Sequence, residues 1–192
     1  MIRFFIFTSI LLLFIGCNSN PLDINVDNQD VKIEFIHLDS LLFHSDAKKR
    51  LAAHHTMQQL IPDVYEYNLA YCLKFKGSTD SLFNTSIQQF YSDPYIRQLE
   101  LRLNQKFNKL SKYKAGITNG FQHLNYHFPT GKMPKAVVFM NSLFTANAFF
   151  TEGEIGIGLE RYLPMNTDVI RQLPPDQFYT WIFLWSIVIV LF

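Results

Sequence analysis

The opening segment Met1-Ile-Arg-Phe-Phe-Ile-Phe-Thr-Ser-Ile-Leu-Leu-Leu-Phe-Ile-Gly-Cys17 decides how much of this chain is free to fold. Arg3 begins it, an apolar to weakly polar stretch runs from Phe4 to Ile15, and small Gly16 precedes Cys17. That order is a secretory signal. A cysteine directly after the small residue is the bacterial lipoprotein variant. There the thiol is acylated, residues 1–16 are removed, and Cys17 becomes a lipid-bearing amino terminus. An ordinary cleaved signal and an uncleaved anchor are the competing readings. The apolar run is short of the ~20 residues a spanning helix needs. Phe14 stands where leucine is commonest in such motifs. Acyl chains, at ~0.8 kcal/mol per buried methylene, would hold the processed chain on a membrane.

What remains is one domain of ordinary size. The whole chain has 17 Lys plus Arg against 16 Asp plus Glu, and the signal carries away only Arg3, so the mature chain is neutral. A neutral balance gives no support for nucleic-acid binding, which needs a clustered basic footprint. With 19 Phe and 9 Tyr the chain can build a sizeable apolar core. Once Cys17 is acylated, Cys72 is the single thiol left, so no intrachain disulfide can form. Its setting, Tyr-Asn-Leu-Ala-Tyr-Cys-Leu, is apolar and helical, which predicts a buried, inert thiol.

Residues 17–30 are polar and read as a tether between lipid and domain. Val31 to Leu38 alternates apolar and polar residues, the pattern of a half-buried strand, and Asp39 and Ser40 are candidate caps for a helix after it. Helical spacing then continues to about Phe128. Within it, Pro62 opens a helix, Gly77 to Asp80 is a turn, and Ser81 to Tyr91 is a short helix. Ser92-Asp93-Pro94 caps a helix from Tyr95 to about Lys112. That helix has Ile96, Leu99, Leu103, Phe107 and Leu110 on one face and Arg97, Glu100, Arg102, Lys106 and Lys109 on a solvated one. Phe121 to Phe128 forms a further helix stopped at Pro129. After the breaker-rich loop Pro129 to Pro134, Ala136 to Met140 is a buried strand. Ala148 to Thr151 and Glu154 to Leu159 are two more strands, with Gly153 in the turn between them. The fold class is therefore α+β: a helix-rich N-terminal portion followed by a small sheet, the domain spanning residues 31–177. Residues 178–192 are an uncharged apolar tail. It reads as a membrane contact, a buried strand, or the product of truncation or a frame change near Trp181.

No catalytic set assembles from the residues alone. His123 and His127 lie at i and i+4 on one helix face, the ligand spacing of zinc peptidases, but Leu124 stands where the catalytic glutamate should be. A structural or surface role is the weightier reading of that pair, and no other cofactor is implied. His54 and His55 are adjacent and point apart. Gly156-Ile-Gly158 lacks the third glycine of a phosphate loop and reads as strand glycines. Ser40 and Ser142 lack a nucleophile-elbow context. Glu152, Glu154 and Glu160 could line a site, but charges at strand ends usually keep an edge soluble.

The order of motifs says more than the chemistry. Val31-Lys-Ile-Glu-Phe is followed by His123-Leu-Asn-Tyr-His-Phe-Pro129, Met133-Pro-Lys-Ala-Val-Val-Phe-Met140 and Ile155-Gly-Ile-Gly-Leu-Glu-Arg-Tyr-Leu-Pro164. This resembles the gliding-motility lipoproteins of the GldB type found in Bacteroidota, over about Val31 to Gln177. With no catalytic set, the chain is expected to be a non-catalytic lipoprotein. Asn18-Ser-Asn-Pro has no acidic run after Cys17, so the expected attachment is to the cell membrane or outer membrane, facing the periplasm. The resemblance implies a role in the cell envelope. Its partners would be other proteins of the gliding and linked type IX secretion machinery. It also implies a zinc-peptidase-like fold with a further helix downstream of a strand at Leu159 to Tyr162. Trp181 to Phe192 does not look like that helix, so the peptidase-like domain is expected to be incomplete. A lipid-anchored zinc-peptidase-like enzyme is the alternative.

Overall fold

A computed structural model describes residues 24–43, 46–76 and 79–176. Cys17, the signal and the apolar tail lie outside the described residues.

Four short strands form one mixed sheet in the order β1-β2-β4-β3. They are β1 (Glu34–His37), β2 (Ala136–Met140), β3 (Ala148–Phe150) and β4 (Glu154–Gly158). β1, β2 and β4 run parallel, with Phe35 opposite Val137 and Val137 opposite Ile155. β3 returns antiparallel along β4 as a hairpin edge. Parallel strands need cover on both faces, because their crossovers lay helices there. Accordingly all five residues of β2 are buried. On one face Ala136, Val138 and Met140 pack with α1 (Leu38–Phe43), α2 (Ala47–Leu60), α3 (Pro62–Tyr67) and α4 (Asp80–Ser92). On the other, Val137, Phe139 and Ile155 pack with α5 (Pro94–Phe107), α6 (Ser111–His127) and α7 (Asp168–Arg171). The class is α+β, with the first strand contributed by the N-terminal portion.

The helix boundaries follow local chemistry. Asp46 accepts from Lys49 N, Thr79 from Leu82 N, and Asp93 from both Tyr95 N and Ile96 N, so three helices start on side-chain caps. Pro62 and Pro94 sit in first turns, where a missing N–H costs nothing. The sheet-side stripe of α5 is as expected: Ile96, Leu99, Leu103 and Phe107 are all buried.

Several boundaries differ from the sequence-based expectation. The helix expected from Tyr95 to Lys112 ends at Phe107, and α6 begins at Ser111, so Phe121 to Phe128 is only the end of a longer helix. Asn108 competes with helical backbone, and the turn lets Leu110 join the core with Phe107. The first strand spans only Glu34 to His37, because fully buried Leu38 opens α1. Asp39 and Ser40 therefore lie inside α1 rather than capping it. The last strand stops at Gly158, and Leu159–Tyr162 is a 3-10 turn. Val26 is buried and Gln29 is hydrogen-bonded to α6, so packing reaches back into the stretch expected as tether.

Candidate functional site

The C-terminal ends of the parallel strands are where open α/β sheets place their sites. Here three carboxylates from three elements converge on Asn141 and Ser142, the two residues after β2. Asp39 comes from α1, Glu100 from α5, and Glu160 from the 3-10 turn after β4; all are buried. Asn141 N donates to Asp39 Oδ1 at 2.9 Å, and its side-chain amide donates to Glu100 Oε1 at 2.8 Å. Asn141 Oδ1 accepts from Leu143 N, and its carbonyl accepts from Asn68 Nδ2, both at 2.9 Å. Every polar group of Asn141 is thereby used to hold α1, α5 and the chain after α3 around one strand end.

Ser142 does the same for Glu160. The Ser142 N–H donates to both Glu160 oxygens at 3.1 Å, and Phe144 N donates to Glu160 Oε1 at 2.9 Å. Ser142 Oγ also contacts Glu160 Oε1, lies 2.9 Å from the Ala146 carbonyl, and accepts from Ala146 N. A hydroxyl has one hydrogen, so it cannot serve both acceptors. Ser142 Oγ therefore donates to Glu160 or to the Ala146 carbonyl, one at a time. Leu143 and Phe144 both have left-handed backbones (φ 49° and 62°), a cost of ~1–2 kcal/mol per residue that the carboxylate cradle must hold.

Burial dominates the electrostatics of the three carboxyls. Burial, then the Glu100 charge, raises the Asp39 carboxyl well above its ordinary value. Burial pushes Glu100 up to about 7, with the Glu160 charge adding to it. Burial also raises Glu160, partly offset by the Ser142 hydrogen bond. Asp39 Oδ2 has no hydrogen-bond partner among the described residues, a further cost to its charged form. Half-buried Tyr91 is raised in the same way, by burial first and then by the Glu100 and Asp39 charges. The three carboxyls thus share a low-dielectric space in which full ionisation is disfavoured.

These are the functional-grade residues that sequence reasoning missed. Glu100 was expected on the solvated face of its helix, and Glu154 and Glu160 at a soluble sheet edge. All three are buried, because β4 is an interior strand and Asn141 draws Glu100 inward. Glu154 accepts from Val64 N at 2.9 Å and pairs with Lys135 at 3.0 Å, tying α3 to the sheet. Only Glu152 is an exposed charge, paired with Lys132. Gly158 is a strand residue, as expected, and the site explains it. A Cβ there would lie 2.2 Å from the Ala146 carbonyl and 2.6 Å from Ser142 Oγ. Gly156 likewise makes room for the Phe149 ring.

The remaining sequence candidates are placed as follows. Cys72 is buried and its thiol is pushed up to about 12 by burial, the inert state expected for it. His54 is buried, 2.9 Å from Tyr65 Oη and stacked on Phe83, while His55 meets Asp80 at the surface. His123 and His127 share the last turns of α6, the first half-buried and the second exposed. Among the described residues no three His, Cys, Asp or Glu side chains gather as a metal site. A cavity of about 570 Å³ lies beside the strained loop, lined by Cys72, Tyr95, Phe144 and Arg161 among others. Asp39, Glu100 and Glu160 are buried, and none of them lines it.

Fold and site together define a helix-rich α+β domain organised around a parallel strand end, with its acidic centre enclosed. The chain belongs to the family described as gliding motility protein GldB, which it matches over residues 19–182. No curated protein and no solved structure matches it. No helix among the described residues is long and apolar enough to cross a membrane.

Proposed function

We propose that this chain is a membrane-anchored envelope lipoprotein that supports gliding motility and the linked type IX secretion machinery through protein contacts rather than catalysis. Membership of the gliding motility family over residues 19–182 carries this reading. The Gly16-Cys17 motif supports the anchor. The enclosure of the acidic centre supports a role for the domain as a shaped surface, since its titratable cluster is spent on holding elements together.

The test is gene deletion with complementation. Deletion should abolish colony spreading and reduce type IX secretion. The parent gene should restore both, and Cys17→Ser should restore neither and lose palmitate labelling. Unchanged spreading and secretion in the deletion strain would sink the assignment. Stoichiometric zinc on the purified chain, lost on His123→Ala, would instead favour the zinc-peptidase-like enzyme.

A further inference from the structure

The neutral total charge conceals a segregation. From Leu101 to Thr151 the sequence has no Asp or Glu, and all its acids lie on either side. Inside that stretch Lys106, Lys109, Lys112 and Lys114 crowd the turn joining α5 to α6. Among the described residues none of the four forms an ion pair. Lys106 and Lys114 lie 5.7 Å from the centroids of Phe107 and Phe35, an apolar footing for their stems, while Lys109 and Lys112 are exposed.

The helix that follows is superficial. None of the 17 residues of α6 is buried, and it meets the core through half-buried Ile117 and Phe121 and through Tyr113 against Phe107. Tyr113 and Leu124 are exposed on one side of it, and Phe128, just past its end, is 61% exposed, while exposed Tyr126 points to the opposite side. Basic side chains beside exposed tyrosines and leucine make the composition of a helix lying in a bilayer interface. The same helix holds the incoming chain. Gln122 Nε2 donates to the Gln29 carbonyl at 3.2 Å, and Asn125 Nδ2 donates to Gln29 Oε1 at 2.8 Å. The stretch between Cys17 and Gln29 reaches at most ~40 Å, and α6 is only ~25 Å long. A bilayer holding Cys17 is therefore within reach of the whole helix.

We propose that α6 and the lysine turn before it form a docking face for an anionic lipid surface, so that the domain lies against the membrane instead of swinging free on its tether. This rests on the anchored-lipoprotein reading for the proximity of the bilayer, and on charge and exposure for the contact itself. Each lysine near an anionic bilayer changes partitioning about fivefold.

The test uses the full chain carrying Cys17→Ser, so that no acyl chain contributes. Its binding is compared on vesicles of phosphatidylcholine alone and of phosphatidylcholine mixed with phosphatidylglycerol. Apolar segments contribute to both, so the ratio isolates the basic face. The ratio should be well above one at low salt and fall as salt rises. Lys109→Ala with Lys112→Ala should lower it by about twenty-five-fold, two lysines' worth. Both positions are exposed, so an unchanged thermal midpoint verifies the fold of the variant. A ratio of one, or a ratio the double variant leaves intact, overturns the proposal. Binding to duplex DNA with a vesicle ratio of one also overturns it and assigns the lysines to another polyanion. Palmitate labelling of the parent chain tests the anchor separately: an unlabelled parent with a high ratio removes the anchor and keeps this face.

Discussion

At the scale of the residue, the chain uses its glycines in two opposite ways. Gly158 sits where any Cβ would overlap the Ala146 carbonyl and Ser142 Oγ, so Gly158→Ala should destabilise the domain by ~1–3 kcal/mol through overpacking of a rigid backbone contact. Urea unfolding measures this; a midpoint equal to the parent's would mean that the loop yields freely. Ser142 is the neighbour that this glycine makes room for. Ser142→Ala removes the donor and acceptor that join Glu160 to Ala146 and leaves buried partners unpaired, a loss of about 1–3 kcal/mol in the same assay. These two residues have no signature in a single sequence, since a strand glycine and a loop serine are ordinary in isolation.

At the scale of the element, α6 behaves as a surface helix that tertiary packing hardly holds. A Cβ at Gly116 or Gly120 would meet nothing within 4 Å. Alanine there should lower the entropic cost of the helix without a clash, so Gly116→Ala is expected to stabilise the domain by ~0.5–1 kcal/mol. A fall in thermal midpoint would show that α6 has a partner at that face. The opposite case is α5, which starts on a side-chain cap accepting from two backbone N–H groups. Asp93→Ala should cost ~0.5–2 kcal/mol, read as a lower unfolding midpoint.

At the scale of the whole molecule, the enclosed carboxyls couple folding to pH. Glu100 is raised to about 7, and Asp39 and Glu160 are raised as well, each chiefly by burial. A group whose folded pKa lies above its unfolded value binds more protons in the folded state. Its stabilising effect is complete below the unfolded carboxylate range and fades as pH rises through the folded value. Two groups work in the opposite direction. Asp168, held low by Arg102, loses its contribution only as pH falls below the ordinary carboxylate range. His54, lowered by burial, gains stability as pH rises toward the ordinary imidazole value, one group against three. The thermal midpoint should therefore fall between about pH 5 and about pH 8. Glu100→Gln keeps a side-chain oxygen for Asn141 to donate to and removes one titration, so it should flatten the fall. A midpoint that fails to fall across that range and that Glu100→Gln leaves unchanged would mean that the three carboxyls are charged in the folded protein, with His54 setting any rise.

Local pattern along the chain encodes much of this fold. The all-apolar run Ala136 to Met140 meant a strand buried on both faces, the stripe on α5 meant a core-facing helix, and Asp93-Pro94 meant a helix start. Gly153 marked the hairpin turn, where it adopts φ 123°. The motif order carried the family. Which charges lie inside depends on the packing of distant segments. Asp39, Glu100 and Glu160 come from three separate stretches of chain, and each looks solvated against its own neighbours. They become one buried group because parallel pairing of β1, β2 and β4 brings α1, α5 and the turn after β4 to a single strand end. Burial of a charge is a property of what surrounds it in space, and periodicity along one helix reports only the face that helix would choose alone.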